Sequence, residues 1–302
     1  MNFSKETLEN FYKINPKLFK SLTNLFDCFI NNKKLAENQV KISMGHFSLS
    51  YGFFKDLSWL KFLRKYPKRK SYLIVFTKRK TYFFDDIERL IELRIGVYLL
   101  WLLKKIRKKI KRNLKIGIIG IGNISKSLII SLTNFQGAIF KVLAKHKKNF
   151  PSVKERVKNF LKELKVKENF IAVESLKDLE DVDIVIDASF GFKFLDFSKL
   201  KNLKIFIDIN KKGFKFKELK NFDLFIFDSL YLAGNSVLNW VIKNKKDFYF
   251  IWQVDWNKLK FNDKKVMFTV FGLVNFEAFL AINYFGKNGL IKSFFPKIKW
   301  KT

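Results

Sequence analysis

KIGIIGIGNISKSLIISL, residues 115–132, reads as a strand that runs into a glycine turn and then into an apolar helix. Within it, Gly120-Ile121-Gly122-Asn123-Ile124-Ser125 forms a G-x-G-x-x-S pattern. The first glycine permits a tight turn, the second lets backbone N–H groups approach a diphosphate, and the small Ser125 lets the helix lie close to the strand. A diphosphate in that bend would sit at the electropositive end of the helix. The stretch therefore predicts a dinucleotide site built on Gly120, Gly122, Asn123, Ile124 and Ser125. The competing reading is a doubly wound domain that has lost its cofactor.

Downstream, AIFKVLA (138–144), DIVIDAS (183–189), KIFIDIN (204–210) and LFIFDS (224–229) are short, unbroken apolar runs. Runs of this kind suit strands buried on both faces of a parallel sheet, and the stretches between them are long enough for crossover connections. Roughly twenty residues after the glycines, where a carboxylate would take the ribose hydroxyls of NAD, the chain has Lys145-His146-Lys147-Lys148. Cations at that place favour the extra phosphate of NADP, so Lys145 and His146 join the cofactor residues and NADP is slightly favoured over NAD. The substrate crevice of such a sheet lies beyond the carboxyl ends of its strands. Asp187, Ser189 and Asp208 stand there. Either Asp could move a proton near a nicotinamide, although an Asp at a strand end is also a common turn or cap residue.

Upstream, apolar positions at helical spacing (Leu18, Leu22, Leu25, Phe26, Phe29) suggest opening helices. SYLIVF at 71–76 and TYFF at 81–84, joined by a polar turn, predict a hairpin. Asp85 and Glu88 read as a capping box that opens a long helix to about Ile110. On that helix Ile87, Ile91, Arg94, Tyr98 and Trp101 share one stripe, so a guanidinium interrupts an apolar face and needs an anion. A ligand could supply it, and so could Asp85 or Asp86. The helix leads into KKIRKKIKRNLK (104–115), the densest basic run, read either as a nucleic-acid or lipid-headgroup patch or as a solvated helix end where cations suit the dipole.

Sixty Lys and Arg against 27 Asp and Glu give a net charge of +33, a balance that would ordinarily suggest nucleic acid. Only eight of the sixty are Arg, and they come with 37 Phe, 13 Gly and 4 Pro. That skew matches drift toward A/T-rich codons and spreads Lys over every surface, whereas phosphate is gripped bidentately by clustered Arg. The charge is read as background, which argues against nucleic acid as partner. One cysteine, Cys28, excludes an internal disulfide, and two histidines, His46 and His146, argue against a metal centre. The start lacks the features of a secretory signal, so a cytoplasmic protein is expected. The most apolar stretch, 268–285, is interrupted by Asn275, Glu277 and Asn283, so no membrane insertion is expected.

The order of these pieces resembles the ornithine cyclodeaminase/mu-crystallin family. WLKFLRKYP (59–67) is similar to the family's G-V-K-W-V-x-x-x-P and places Lys61 on its active-site lysine. FFDDIERLIELRIG (83–96) is similar to its M-D-x-x-x-x-T-x-x-R-T-G, which places Arg94 on the arginine that holds a substrate carboxylate. VDIVIDAS resembles the family's A-D-I-V-x-x-A-T strand, with Ser189 on the Thr, and residues 268–285 resemble its closing segment. The chain also departs from the pattern. Ile95 replaces the Thr after the arginine, and Lys212 stands where the family has its catalytic Asp, leaving Asp208 four residues earlier to stand in.

The resemblance implies an α/β protein: a Rossmann-type doubly wound parallel sheet at 111–271, with a second, discontinuous α+β substrate and dimerisation domain at 1–110 plus 272–302. It implies an NAD(P)-dependent oxidoreductase or cyclodeaminase acting on a small amino acid or cyclic imine, in a homodimer. Arg94 would hold the α-carboxylate, Lys61 would polarise or protonate the imine or carbonyl, and Asp208 would handle water or amine protons. Two alternatives stand beside it: a catalytically silent dinucleotide-binding protein of the same fold, and a basic protein that binds nucleic acid or a membrane surface through residues 104–115.

Overall fold

The computed structural model describes residues 22–24, 26–27, 30, 39–44, 47–54, 57–65, 73–76, 81–84, 87–110, 112–145, 152–166, 168–189, 195–209, 216–228, 236–261 and 264–270, with backbone alone between 39 and 91. Strands β1 (Gln39–Met44), β2 (Phe47–Phe54) and β3 (Leu57–Lys65) form an antiparallel sheet in that order. Next, β4 (Leu73–Phe76) and β5 (Thr81–Phe84) pair as the hairpin that the sequence predicts, with Phe76 opposite Thr81.

Helix α1 (Ile87–Lys109) follows. The sequence predicts one apolar stripe on it, but every residue from Glu92 to Leu103 is buried. The reason is that α1 is covered on several sides. One side meets helix α2 (Asn123–Leu132), where a Cβ on Gly96 would lie 2.9 Å from Ser127 Oγ. Ser127 donates that hydroxyl to the Glu92 carbonyl at 2.8 Å. Another side meets the opening segment: the Phe26 ring lies 5.3 Å from Tyr98 and 5.0 Å from Trp101, and Trp101 Nε1 donates to Asp27 at 2.6 Å. Trp256 closes a further side, edge-on to Trp101.

The remaining strands are β6 (Leu114–Ile119), β7 (Ala138–Leu143), β8 (Phe170–Ala172), β9 (Ile184–Asp187), β10 (Ile205–Asp208), β11 (Leu224–Phe227), β12 (Asp247–Phe250) and β13 (Val266–Thr269). Helices α3 (Val153–Glu163) and α4 (Ser236–Lys243) lie between them. The eight strands make one sheet in the order β12-β11-β13-β10-β9-β6-β7-β8, and each pairing in it is parallel. Strands β9, β10, β11 and β13 are buried at every position, as unbroken apolar runs require when both faces of a sheet are covered. This is the α/β, doubly wound class expected from the sequence.

The strand order reverses at β6. From there the chain moves outward through β7 and β8, then returns to place β9 and β10 on the other side. Such a reversal leaves a crevice beyond the carboxyl ends of β6 and β9. Helix α1 passes the middle of α2 at Gly96, beside Ser127, and reaches the amino edge of the sheet at Arg107, which lies against Gly137 just before β7. The first half of α1 therefore lies toward the carboxyl edge.

Candidate functional site

The bend after β6 meets β9 at this crevice. Gly120 has φ +116°, and a Cβ there would lie 2.8 Å from the Ala188 carbonyl oxygen and 3.0 Å from the Ser189 nitrogen. Both the backbone angle and the contact demand glycine. Gly122 differs in kind: its φ is −84°, and a Cβ there would meet nothing within 4 Å. The second glycine is thus not needed for packing and leaves open space over the start of α2.

That helix start carries no cap. Gly122 at the N-cap position offers no side chain, and no acidic residue lies in the first turn. Ser125 is buried, and its Oγ has no hydrogen-bond partner. Helix α3 shows the usual alternative. Its first N–H groups are taken by Glu174, at 3.0 Å from Val153 N and 2.8 Å from Lys154 N, and by Ser152 Oγ, at 3.0 Å from Glu155 N. Bare N–H groups, an open approach and an unsatisfied buried hydroxyl at one bend are what a dinucleotide diphosphate requires, so these residues fit that group.

At the end of β9, Asp187 is fully buried. Its Oδ1 accepts from Ser189 N at 3.0 Å and from Ser189 Oγ at 2.6 Å, which is the turn role foreseen for it. Its Oδ2 is buried without a hydrogen-bond partner, and burial pushes the carboxyl up to about 6 against the two Ser189 bonds. Asp208 stands opposite Asp187 in the β9–β10 register and is likewise fully buried. Continuing across the sheet come Thr269, at the end of β13, and Asp228, just past β11, both buried. The carboxyl edge therefore bears three buried Asp residues, with Thr269 between Asp208 and Asp228.

Asp228 was not singled out from the sequence, and Tyr98 was read only as a member of the apolar stripe that holds Arg94. Burial, with the charge of Asp228 second, holds the Tyr98 phenol well above its usual value, so Asp228 lies within electrostatic reach of it. Arg94, one turn before Tyr98, is also buried. At 100° per residue it falls on the face of α1 shared with Tyr98 and Trp101, opposite the Glu92 and Gly96 face that meets α2. The bend therefore unites Gly120, Gly122, Asn123, Ile124, Ser125 and Ser189, while Arg94 belongs to the stripe that runs with Tyr98 toward Asp228.

Lys61 lies on β3 opposite Tyr51, and its side chain is outside the described residues, as are His146 and Lys212. Lys145 is exposed just past β7, and its carbonyl accepts from Arg156 Nη1 at 2.7 Å. Arg156 is a second cation beside the expected ribose position. It escaped the sequence reading because it comes from α3, eleven residues later.

Among the described residues no group of His, Cys, Asp and Glu could hold a metal ion, and no helix is long and apolar enough to cross a membrane. Most of the basic run at 104–115 is engaged within the fold. Lys105 pairs with Asp27 at 3.0 Å, Arg107 donates to the Ile110 carbonyl at 2.8 Å, and Lys109 reaches the Asn257 carbonyl at 3.3 Å. Arg112 pairs with Asp183, and Lys115 with Asp181 at 2.9 Å.

No family model and no curated protein sequence matches the chain. Solved structures do. Δ1-pyrroline-2-carboxylate reductase of Thermococcus litoralis, in complex with NADH and L-proline, superposes with a TM-score of 0.65 at 15% identity, covering 93% of this chain and 96% of that one. A probable ornithine cyclodeaminase of Bordetella pertussis Tohama I gives 0.64 at 14% identity, over 89% and 91% of the two chains. The chain has the ornithine cyclodeaminase fold. Iminosuccinate reductase of Paracoccus denitrificans, in complex with NAD+, shares it with a TM-score of 0.63 at 14% identity over 93% and 95%. The α/β class implied by the family resemblance is the class observed, at identities that sequence matching does not register.

Proposed function

We propose that this protein is an NAD(P)-dependent oxidoreductase or cyclodeaminase that acts at the α-carbon of a small amino acid or cyclic imine. The observation that carries the reading is the uncapped start of α2, open above Gly122 at the strand-order reversal. Solved proteins of the same fold hold NADH or NAD+. NADP is slightly favoured over NAD because Lys145 and Arg156 gather past β7 and no carboxylate follows Lys145 before residue 155.

A bound nicotinamide would supply the hydride exchange. The residues of this chain do the rest. Arg94 holds the α-carboxylate from α1, and Lys61 polarises or protonates the imine or carbonyl. Burial would lower the pKa of such a lysine toward neutrality, as this task needs. Asp208, at the carboxyl end of β10, handles the proton of water or amine. Residues 1–110 with 272–302 form the substrate and dimerisation domain around the dinucleotide domain at 111–271, in a cytoplasmic homodimer. Lys212 in place of the family's Asp favours a second reading, dinucleotide binding without turnover.

Titration of NADPH and NADH against tryptophan fluorescence, followed by a screen of cyclic imines and small amino acids, tests the proposal. Micromolar binding is expected, with NADPH the tighter. Gly122→Ala should weaken it at least tenfold while leaving the melting temperature unchanged, since a methyl there meets only the space a diphosphate would use. Absence of binding below the millimolar range overturns the proposal. Binding with no turnover on any imine or amino acid selects the second reading.

A further inference from the structure

At the amino edge of the sheet, on the far side from the crevice, lies a groove of about 760 Å³. It is lined by the starts of β6, β9, β10, β13 and β11, and its cations are Arg112, Lys115, Lys201, Lys204, Lys264 and Lys265. Its carboxylates are Asp181, Asp183 and Asp223, and each already accepts from a residue of the groove wall. Asp183 takes Arg112 and, at 3.1 Å, the Lys115 N–H. Asp223 accepts the Lys265 N–H at 2.8 Å, which closes the start of β13. Asp181 binds Lys115 at 2.9 Å and Lys141 at 2.6 Å, and these bonds hold its carboxyl below the usual range.

Two cations remain over. Lys204 and Lys265 immediately precede β10 and β13, and Val266 N donates to the Lys204 carbonyl at 2.8 Å, so the two lysines stand side by side on neighbouring strands. Both are half-buried, and neither has a carboxylate within ion-pair distance among the described residues. Lys201 and Lys264 flank them with only long, exposed pairs, 4.0 Å to Glu180 and 3.7 Å to Asp247. An anion seated against these two neighbouring lysines, where water is partly excluded, is held more strongly than at an open surface. The strand register sets the two lysines on neighbouring strands at the wall of this groove, which distinguishes them from a general excess of surface lysine.

We propose that this amino-edge groove is a second ligand site, which binds the phosphoryl group of a small phosphorylated molecule between Lys204 and Lys265. The volume lies in the range of pockets that enclose a whole small ligand. The site is independent of the dinucleotide crevice, which opens at the other end of the same strands.

Calorimetric titration with pyrophosphate and with inorganic phosphate, at constant ionic strength, decides the matter. The wild-type chain is expected to bind pyrophosphate in the groove with a dissociation constant below about 1 mM, and K204Q/K265Q should weaken that binding at least tenfold. K154Q/K158Q, which removes two exposed charges from α3, should change it less than twofold. In anion-free buffer K204Q/K265Q should melt within about 1 °C of the wild type, because neither lysine pairs with a carboxylate among the described residues. The single variants K204Q and K265Q, each expected to weaken binding severalfold, carry the test if the double variant fails to fold. Unchanged affinity in K204Q/K265Q, or equal loss in K154Q/K158Q, overturns the proposal by assigning the anion to the crevice or to background charge.

Discussion

Asp187 is a fully buried carboxyl with two donors on one oxygen and none on the other. Its folded value of about 6 lies above the ordinary 3.8, so the folded state holds this proton more tightly than the unfolded chain does. Below pH 4 the group therefore costs nothing. As the pH rises through 6 it must ionise in a buried place, and up to roughly 3 kcal/mol of stability is lost. Asp181 works in the opposite sense, since its lowered value gives stability that is lost as the pH falls. The contribution of Asp187 is thus isolated by difference. Melting temperatures of wild type and Asp187→Asn, measured from pH 4 to pH 8, should diverge in slope, with the wild type declining relative to the variant mainly between pH 4 and 6. Parallel curves would show that the carboxyl is solvated or paired in solution.

Elements differ in how far they announce themselves. The β6–α2 unit was legible because the two glycines of its bend answer stated needs: Gly120 a positive φ and a backbone contact, Gly122 an open approach. The hairpin of β4 and β5 was legible for the same local reason. By contrast, the insertion of β13 between β10 and β11 is a long-range pairing that no short pattern encodes. Asp228 and Arg156 were missed because their neighbours come from distant segments. Helix α1 shows how periodicity misleads: a stripe was expected, but an element covered by α2, Phe26 and Trp256 has no outward face along its middle. Gly96 owes its place to that packing, and Gly96→Ala should force the helices apart, since its Cβ would lie 2.9 Å from Ser127 Oγ and 3.1 Å from the Ser127 carbonyl oxygen. A loss of about 1–3 kcal/mol in denaturant unfolding is expected. Ser127→Ala should recover only part of it, because the carbonyl contact remains. Full recovery would place the whole clash on the hydroxyl.

For the molecule as a whole, a charge of +33 poses the question whether cations serve a polyanion or merely cover a surface. Position along the chain does not answer it, because the densest basic run, 104–115, is also among the most engaged in the fold. Lys105, Arg107, Lys109 and Arg112 each hold a carboxylate or a backbone carbonyl, and the Asp183 side chain is only 2% exposed beneath Arg112. Removing Arg112 leaves that carboxylate buried with only backbone support, a loss on the order of 3 kcal/mol. The four residues changed together to Gln should therefore lower the melting temperature by roughly 5 °C or more. Lys154, Lys158, Lys177 and Lys199, all exposed, changed to Gln should leave it within about 1 °C. Retention on heparin should respond in the other way, with both quadruple variants eluting at equally reduced salt, because diffuse charge is counted and not located. A much larger loss of retention in the first variant, at unchanged stability, would restore a polyanion-binding role to the 104–115 run.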